Sequence, residues 1–430
     1  MLQKLLETMI TVGRLTVRIG RDQPFSVGAL PIDAPELDVA IHISDCRTAT
    51  RLALDPEFQL GKTYMDGTLI IERGNLAAFM ALIGHNIARR PKPGLVETTL
   101  DTLGRALSAA NSLARARRNV EHHYDLSTDF YRLFLDADLQ YSCAYFEHGG
   151  MTLDAAQAAK KAHIAAKLDL RPGQHILDIG SGWGGLALSL ARAADVRVTG
   201  ITLSGEQLRV ARDRAEREGL DGRVHFELAD YRTLEGRFDR VVSVGMFEHV
   251  GQAHYRDYFQ AIDRLLRPGG IALVHSIGRK DPDHTSDRWT RRYIFPGGYI
   301  PSVSEATAAL EPTGLWLTDM EILRLHYAYT LQHWRERVEA RRPAIEAMFD
   351  ARFYRMWTYY LASFEMAFRF NGLMVMQMQI ARDIDALPIT RGYMAEREAA
   401  LAAQIAPPIR RRPKIVPQEA TGDTMREQRG

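Results

Sequence analysis

The sequence predicts an α/β protein with a doubly wound, Rossmann-like parallel sheet, preceded by a small α+β domain. Between residues 160 and 280, the apolar runs HILDIG, VRVTGI, VHFEL, RVVSVG and IALVHSI are separated by helical patterns. Strands that alternate with helices form parallel sheets with right-handed crossovers. The first run leads directly into the glycine-rich loop of LDIGSGWGG, which is typical of a site for a nucleotide-like ligand.

Length and changes in composition indicate how the chain is divided. At 430 residues it can form two domains. Residues 1–104 mix short alternating runs with helical stretches such as LAAFMALIGHNIA, which predicts a small α+β domain without a catalytic signature. Residues 105–120 are predicted to form a basic helical linker. Residues 406–430 are rich in proline and charge and are predicted to be a disordered tail.

The linker contains the run RALSAANSLARARR, which has four arginines and no acidic residue. Two interpretations are open, a solvated helix and a patch attracted to anionic lipid. We favour the solvated helix because the run has few large apolar residues to bury. On the second interpretation, this run and the N-terminal domain would dock the protein on an anionic membrane surface.

Overall composition excludes several classes of protein. The net charge of +2 gives no global attraction to nucleic acid, so we expect no nucleic-acid partner. Cys46 and Cys143 are the only cysteines, which excludes a disulfide framework and a cysteine zinc cluster and fits a reducing compartment. No apolar stretch is long enough to span a bilayer, and charges interrupt the N-terminal segment. We therefore expect a cytoplasmic protein whose membrane contact is peripheral.

The glycine loop indicates the chemistry of the ligand. Gly180, Gly182 and Gly185 fit the dinucleotide pattern G-x-G-x-x-G only loosely, and the strand before them ends in Asp178. A carboxylate at that place would repel a pyrophosphate and would favour an amine or a cationic centre. S-adenosylmethionine carries an ammonium, a sulfonium and a carboxylate, so it suits both the acid and the N-terminus of the following helix.

The next two strands end in further polar residues. Thr202 and Gln207 follow the second strand, and Asp230 and Tyr231 follow the third. An acid after the third strand can accept the adenine amino group, and the tyrosine can cover a ring. The alternative is that Thr202 and Asp230 are ordinary caps of the following helices. We favour ligand binding because the glycine loop lies upstream.

Motifs beyond this core resemble one family. They are HHYDLSTDFYRLFLD (122–136), YSCAYF (141–146), GITLSGEQ (200–207), SVGMFEHVG (243–251), YIFPGGYIPS (293–302) and HYAYTLQHW (326–334). Together with the loop they resemble the cyclopropane-fatty-acid synthase family, which includes the mycolic acid cyclopropane synthases and related fatty-acyl methyltransferases. The resemblance covers residues 120–400, and LGKTYMDGTL resembles the smaller domain of the phospholipid-acting members. Ser181 is a departure, since cysteine is common there.

The resemblance implies a class I S-adenosylmethionine-dependent methyltransferase sheet with helical lid insertions over residues 121–405, and a lipid-associated domain before it. It implies transfer of methylene from S-adenosylmethionine to the double bond of an unsaturated acyl chain in a phospholipid. The positions that it associates with S-adenosylmethionine are Tyr124, Ser142, Gly180, Gly182, Thr202, Gln207 and Asp230. Those that it places around a bound bicarbonate are Cys143, Glu248, His275, Ile277 and Tyr327. A homodimer is a further expectation, although the sequence does not fix the oligomeric state.

The chemistry of such a reaction asks for residues of these kinds. Methyl transfer leaves a carbocation that water would trap, so the site must be dry, and aromatic faces can stabilise the cation. Ring closure then needs a positioned base for a proton of the new methyl group. Bicarbonate and Glu248 compete for that role, and loss of the proton elsewhere would leave a methylene or methyl branch. A small-molecule methyltransferase and a lipid-binding protein with a decayed site are the remaining alternatives.

Each candidate also has a structural interpretation. Cys143 can be a small buried apolar residue, His275 a satisfied core histidine and Glu248 a helix cap. Residues 353–379, FYRMWTYYLASFEMAFRFNGLMVMQMQ, are predicted to form an aromatic helix that is mainly core. Some of its aromatic and methionine side chains are candidates for the wall of an acyl tunnel. His122 and His123 lack further ligands at a known spacing, so we expect no metal.

Overall fold

The computed structural model describes residues 1–88, 126–282 and 287–405. Tyr124, the predicted linker over residues 105–120 and the predicted tail over residues 406–430 lie outside the described residues. None of the described helices is long and apolar enough to cross a bilayer. The described residues form two sheets, one in the first 88 residues and one in the remainder.

The first 88 residues form the small α+β unit that the sequence predicts. Its four-stranded sheet has the order β2-β1-β3-β4, in which only β1 and β3 are parallel. Leu15 and Val17 of β1 are buried, as the alternating apolar run requires, whereas β3 is buried at the consecutive positions 39–41 and again at Ile43. The elements are α1 (Leu2–Met9), β1 (Arg14–Ile19), β2 (Phe25–Val27), β3 (Asp38–Ile43), α2 (Cys46–Leu54), α3 (Pro56–Asp66), β4 (Leu69–Arg73) and α4 (Leu76–Ile87).

The remaining residues form the predicted doubly wound sheet. Its seven strands have the order β10-β11-β9-β8-β5-β6-β7, and β11 alone runs antiparallel to its neighbours. The strands are β5 (His175–Ile179), β6 (Arg197–Thr202), β7 (Val224–Leu228), β8 (Phe238–Val244), β9 (Leu266–Arg279), β10 (Trp316–Leu323) and β11 (Leu373–Ala381). The five apolar runs identified in the sequence are β5 to β9. The order reverses between β5 and β8, where doubly wound sheets bind their ligands.

The helices lie on both sides of this sheet and over its carboxyl edge. Three helices form the crossovers between successive parallel strands. They are α7 (Gly185–Ala194), α8 (Gly205–Arg217) and α9 (Tyr255–Leu265). The others are α5 (Thr128–Arg132), α6 (Leu153–Lys167), α10 (Arg288–Tyr293), α11 (Val303–Leu310), α12 (His326–Ala340), α13 (Arg342–Met348), α14 (Ala351–Phe370) and α15 (Gly392–Ala402). The segment that contains α10 and α11 is inserted between β9 and β10, which agrees with the expected lid insertions.

The predicted helix over residues 353–379 is wrong in its second half. Helix α14 ends at Phe370, the chain turns at Gly372 with φ +73°, and β11 follows. Seven consecutive residues of β11 are buried. The first four residues of β11 form a continuous apolar run, and periodicity cannot distinguish a short run of that kind from a buried helix.

Helix α14 joins the two units. It packs against α3 and α4 at points where glycine permits close approach. A Cβ on Gly84 would lie 2.5 Å from the Phe370 ring, and one on Gly61 would lie 2.6 Å from the Tyr359 ring. An apolar cavity of about 610 Å³ lies between the small unit and α14, lined by side chains such as Leu6, Phe79 and Met366.

Candidate active site

The glycine loop connects β5 to α7 as the sequence predicts. Gly180 has φ +83° and Gly182 has φ +54°, a region that residues with a Cβ rarely adopt. A Cβ on Gly185 would lie 2.4 Å from Nε2 of Gln140, so the start of α7 must be glycine for segment 136–142 to pack on it. The loop therefore leaves a cleft at the carboxyl edge of the sheet.

This cleft is the larger of two adjoining cavities and has a volume of about 170 Å³. The structure brings into its wall every predicted cofactor-binding residue that it describes. These are Ser142, Asp178, Gly180, Gly182, Thr202, Gln207, Asp230 and Tyr231. Their roles toward a ligand stay predictions.

Asp178 is the penultimate residue of β5, and its side chain lies in this wall. The residue is 2% exposed, and its Oδ2 atom has no hydrogen-bond partner within the described residues. Burial raises the pKa of its carboxyl to about 7, while the positive charge of Lys160 opposes that rise. A buried carboxylate with an unused oxygen is suited to an ammonium or sulfonium group, so the site fits S-adenosylmethionine.

The residues after β6 and β7 hold one another in place. The Thr202 hydroxyl donates to Oε1 of Gln207 at 2.8 Å, and the cap of α8 is Ser204 rather than Thr202. Asp230 accepts two hydrogen bonds from the Arg232 guanidinium, at 2.9 and 2.7 Å. Thr202 is therefore not the cap of the following helix, and Asp230 is held toward the cavity by its neighbour.

Segment 136–142 closes this cavity from above, and the sequence does not predict it. The Asp136 carboxylate accepts the backbone N–H groups of Asp138 and Gln140. Asp138 is buried and forms ion pairs with Lys161 and Arg214. Leu139 between them has φ +58° and lines the cavity. Buried charge pairs thus impose a backbone conformation that is unfavourable for leucine.

The smaller cavity has a volume of about 60 Å³ and lies beside the larger one. Tyr141, Ser142, Gly245 and His249 line both cavities, so a group bound in one is next to a group bound in the other. Its wall contains all five residues predicted to be catalytic. These are Cys143, Glu248, His275, Ile277 and Tyr327.

Glu248 lies in a single 3-10 turn, Phe247–His249, directly after β8. Its Oε1 atom accepts the backbone N–H of Ile277 at 2.5 Å, so Glu248 is not the cap of a helix, and the Ile277 amide is committed to it. Oε2 is buried and has no hydrogen-bond partner in the described part of the chain. Burial raises the pKa of this carboxyl to about 7, although the Ile277 amide and the Ser276 hydroxyl oppose the rise.

Three donors face the same cavity. Burial raises the pKa of the Cys143 thiol, which keeps it neutral, and the thiol donates to the Ala144 carbonyl oxygen at 3.3 Å. Burial also holds the pKa of His275 well below its usual range, so its imidazole is neutral. The Tyr327 phenol comes from the first turn of α12. A neutral thiol, imidazole and phenol opposite an unused carboxylate oxygen can together bind a small oxyanion that carries one proton.

Lys160 is the residue of this region that sequence reasoning missed. It is fully buried in α6, and its ammonium donates to Oε1 of Gln140 at 2.6 Å and to Oγ of Ser142 at 2.8 Å. Burial lowers its pKa to about 8. The signal in the sequence was weak, because Lys160 and Lys161 resemble the solvated face of an ordinary helix.

Aromatic rings complete the smaller cavity. Phe295, Tyr360 and Phe364 line it, and the hydroxyls of Tyr141 and Tyr360 lie 3.0 Å apart. Trp357 is 1% exposed and packs on Phe130 and Phe134 instead. The candidate methionines after Phe370 belong to β11, and none of them lines either active-site cavity among the described residues. The acyl-tunnel prediction is therefore retained for Phe364 and withdrawn for Trp357 and these methionines.

The sequence and the fold are both similar to those of known proteins. The family model described as mycolic acid cyclopropane synthetase matches residues 111–378. The cyclopropane-fatty-acyl-phospholipid synthase of Escherichia coli K12 is 41% identical over 335 residues, which cover 78% of this chain and 86% of that protein. A probable fatty acid methyltransferase of Pseudomonas putida is 45% identical over 256 residues, or 58% of this chain and 65% of that one.

A similar solved structure carries ligands. The mycolic acid cyclopropane synthase CmaA1, complexed with SAH and CTAB, is 34% identical and superposes with a TM-score of 0.59. The match covers 62% of this chain and 98% of that protein.

Proposed function

The chain belongs to the mycolic acid cyclopropane synthetase family and is an S-adenosylmethionine-dependent methyltransferase, and from this premise we propose its reaction. It transfers a methylene group from S-adenosylmethionine to the double bond of an unsaturated acyl chain of a phospholipid and forms a cyclopropane ring. The observation that carries the proposal is the wall shared by the two cavities, which would place a methyl donor in the larger cavity beside the aromatic rings of the smaller one.

The larger cavity is assigned to S-adenosylmethionine. Asp178 takes the ammonium group, and the backbone of Gly180 and Gly182 lies along the amino-acid part of the substrate. Asp230 and Tyr231 take the adenosine part. Tyr124, Ser142, Thr202 and Gln207 are assigned to the same substrate. The methyl group then faces the wall shared with the smaller cavity, and alignment supplies much of the rate because an isolated alkene is a weak nucleophile.

The smaller cavity is assigned to the reacting part of the acyl chain. Attack by the alkene on the sulfonium methyl breaks the S–CH₃ bond and leaves a carbocation on the chain. Tyr360, Phe364 and Phe295 present rings to that cation and exclude water. Loss of one proton from the new methyl group lets its carbon close the three-membered ring.

A bound bicarbonate fits the polar end of this cavity, and when bound it would supply the base for that proton. Cys143, His275 and Tyr327 would donate hydrogen bonds to its oxygens, and the unused Oε2 of Glu248 would accept its O–H. The Ile277 amide holds Glu248 in place for this contact. Glu248 is the competing base, because its pKa is raised to a value close to neutral pH.

A branching fatty-acyl methyltransferase is the second candidate. The similarity to a probable fatty acid methyltransferase favours it, because the two chains are 45% identical over 256 residues. In that reaction a hydride shifts from the methylated carbon to the cationic carbon, and loss of a proton from the new methyl group then leaves a methylene branch, which a separate reductant would convert to a methyl branch. The two reactions diverge before the proton is lost, so a base placed to remove the methyl proton ahead of the hydride shift favours the ring.

We further propose a cytoplasmic protein that associates peripherally with the inner face of the membrane. The apolar cavity between the small unit and α14 supports a lipid-associated role for the N-terminal domain. Arg115, Arg117 and Arg118 lie outside the described residues, and their replacement by alanine should weaken binding to anionic vesicles at low salt. Unchanged binding would reject that docking site. A homodimer stays a prediction.

The reaction is tested with methyl-labelled S-adenosylmethionine and vesicles of a mono-unsaturated phospholipid. The released fatty acids are analysed by mass spectrometry and by proton NMR. Labelled chains with upfield ring protons are expected. Labelled chains with olefinic methylene protons would replace cyclopropanation by branching. Absence of label from every unsaturated lipid, under conditions where S-adenosylmethionine binds, would overturn the proposal.

A further inference from the structure

A buried chain of hydrogen bonds leads away from His275 behind the smaller cavity. Nδ1 of His275 lies 3.1 Å from the side-chain nitrogen of Gln377 on β11. The side-chain oxygen of Gln377 accepts from the ammonium of Lys167 at 2.8 Å. All three residues are at most 2% exposed. Gln377 and Lys167 touch neither cavity, so any effect they have on a ligand must pass through His275.

The chemistry of Lys167 fixes the direction of this chain. An ammonium group only donates hydrogen bonds, so the atom of Gln377 that faces it must be the carbonyl oxygen. The amide NH₂ group of Gln377 then faces His275 and needs an acceptor there. Nδ1 must therefore be unprotonated, and the proton of the neutral imidazole must lie on Nε2. Nε2 has no hydrogen-bond partner among the residues that the structure describes, and the ring lines the smaller cavity.

We propose that Gln377 and Lys167 are positioning residues that hold His275 as its Nε2–H tautomer, so that it donates a hydrogen bond into the smaller cavity. The opposite tautomer would present a lone pair to an oxyanion and repel it. The inference rests on the proposed function only in assigning bicarbonate as the anion that receives the hydrogen bond.

Lys167 is itself held in one orientation. Its ammonium also pairs with Glu321 on β10, and Glu321 accepts from Nε2 of His163 at 2.7 Å. Nδ1 of His163 lies 3.0 Å from a carboxylate oxygen of Glu398 on α15. These contacts join α6, β10 and α15, and they hold the Lys167 ammonium toward Gln377. The chain thus extends from the cavity to the outer side of the sheet.

Nitrogen-15 NMR of the histidine-labelled, full-length protein tests the tautomer directly. The wild-type spectrum should show Nδ1 of His275 in the acceptor range and Nε2 in the protonated range, with the signal assigned by its loss in His275→Asn. Gln377→Met removes the donor at similar volume and should allow the Nδ1–H tautomer. A protonated Nδ1 in the wild type, or tautomer populations that Gln377→Met does not change, would overturn the inference. The wild-type spectrum decides even if the variant fails to fold.

The functional readout is the bicarbonate concentration that gives half-maximal rate. Gln377→Met should raise this concentration about tenfold, because His275 would no longer be held to donate a charge-assisted hydrogen bond to the anion. The affinity for S-adenosylmethionine should be unchanged. Gln379→Met is the matched control, because Gln379 is equally buried on the same face of β11 and bonds to the Lys167 carbonyl and Tyr393 instead of His275. It should leave both values unchanged. An equal rise in both variants would contradict a specific role for Gln377.

The positioning role of Gln377 and Lys167 and the assignment of bicarbonate as the anion can be rejected separately. If the wild-type enzyme shows the Nε2–H tautomer but its rate does not depend on bicarbonate, the assignment of the anion is wrong and the positioning role stands. If bicarbonate activates the enzyme but Nδ1 carries the proton, the positioning role is wrong and the proposed base stands.

Discussion

The ammonium of Lys160 lies 2.8 Å from the hydroxyl oxygen of Ser142, a residue that lines both cavities. Lys160 therefore places a buried positive charge behind a residue that the two cavities share. The same charge opposes the rise in the pKa of Asp178 that burial causes. Lys160 thus holds segment 136–142 by hydrogen bonds and also influences the ionisation of Asp178.

Replacement of Lys160 by methionine should weaken binding of S-adenosylmethionine at least tenfold. The variant leaves Ser142 and Gln140 without their charged donor, and hydrogen bonds to charged groups contribute about 1.5–3 kcal/mol each. Isothermal titration calorimetry measures the change. Lys160→Arg keeps the charge and should recover part of the affinity. A methionine variant with wild-type affinity would show that the ammonium has no part in substrate binding.

The affinity for S-adenosylhomocysteine should rise with pH because Asp178 must ionise to bind its ammonium. The pKa of Asp178 is raised to about 7, so the anionic fraction increases between pH 6 and pH 8. Asp178→Asn should bind the ligand more weakly and lose this dependence, as measured by the dissociation constant at each pH. The same slope in the variant would assign the titration to another group.

Glu248→Gln should abolish turnover and stabilise the fold above neutral pH. The folded pKa of about 7 lies above the ordinary value of 4.5, so ionisation of this carboxyl opposes folding. The cost is absent below about pH 4.5 and complete above about pH 7, where it reaches up to about 3 kcal/mol. Thermal melts at pH 4.5 and pH 8 should therefore show a gain only at pH 8. A gain of equal size at both values would have a cause other than this titration.

Phe364→Ala and Trp357→Ala should separate catalysis from stability. Trp357 is buried among other aromatic rings, so its truncation should cost about 3–5 kcal/mol of folding free energy. Phe364 lines the smaller cavity, so its truncation should lower the rate and alter the preference among acyl chains with a smaller loss of stability. Chemical denaturation and assays on lipids of different chain length distinguish the two. Parallel losses in both variants would place Phe364 in the core alone.

Local signals in the sequence were enough to predict the centre of the fold. The five apolar runs predict β5 to β9 because each strand is bounded by turn residues and followed by a helix. The loop of Gly180 and Gly182 needs positive φ, which only glycine adopts freely. The candidate binding role of Asp178 is predicted from its position next to the glycine loop, near the end of β5. These features depend on neighbours within about ten residues.

Only the tertiary structure shows which residues hold His275 and segment 136–142 in place. Gln377 meets His275 across 102 positions of sequence, on a strand that the sequence pattern predicts as a helix. The partners of Lys160 are 18 and 20 residues away, in a segment shaped by buried ion pairs. The sequence by itself determined the five strands β5 to β9, the loop and the residue types that carry chemistry, whereas β11 was predicted as helix. The protonation, orientation and shared wall of those residues depend on burial and long-range contacts, which no local pattern encodes.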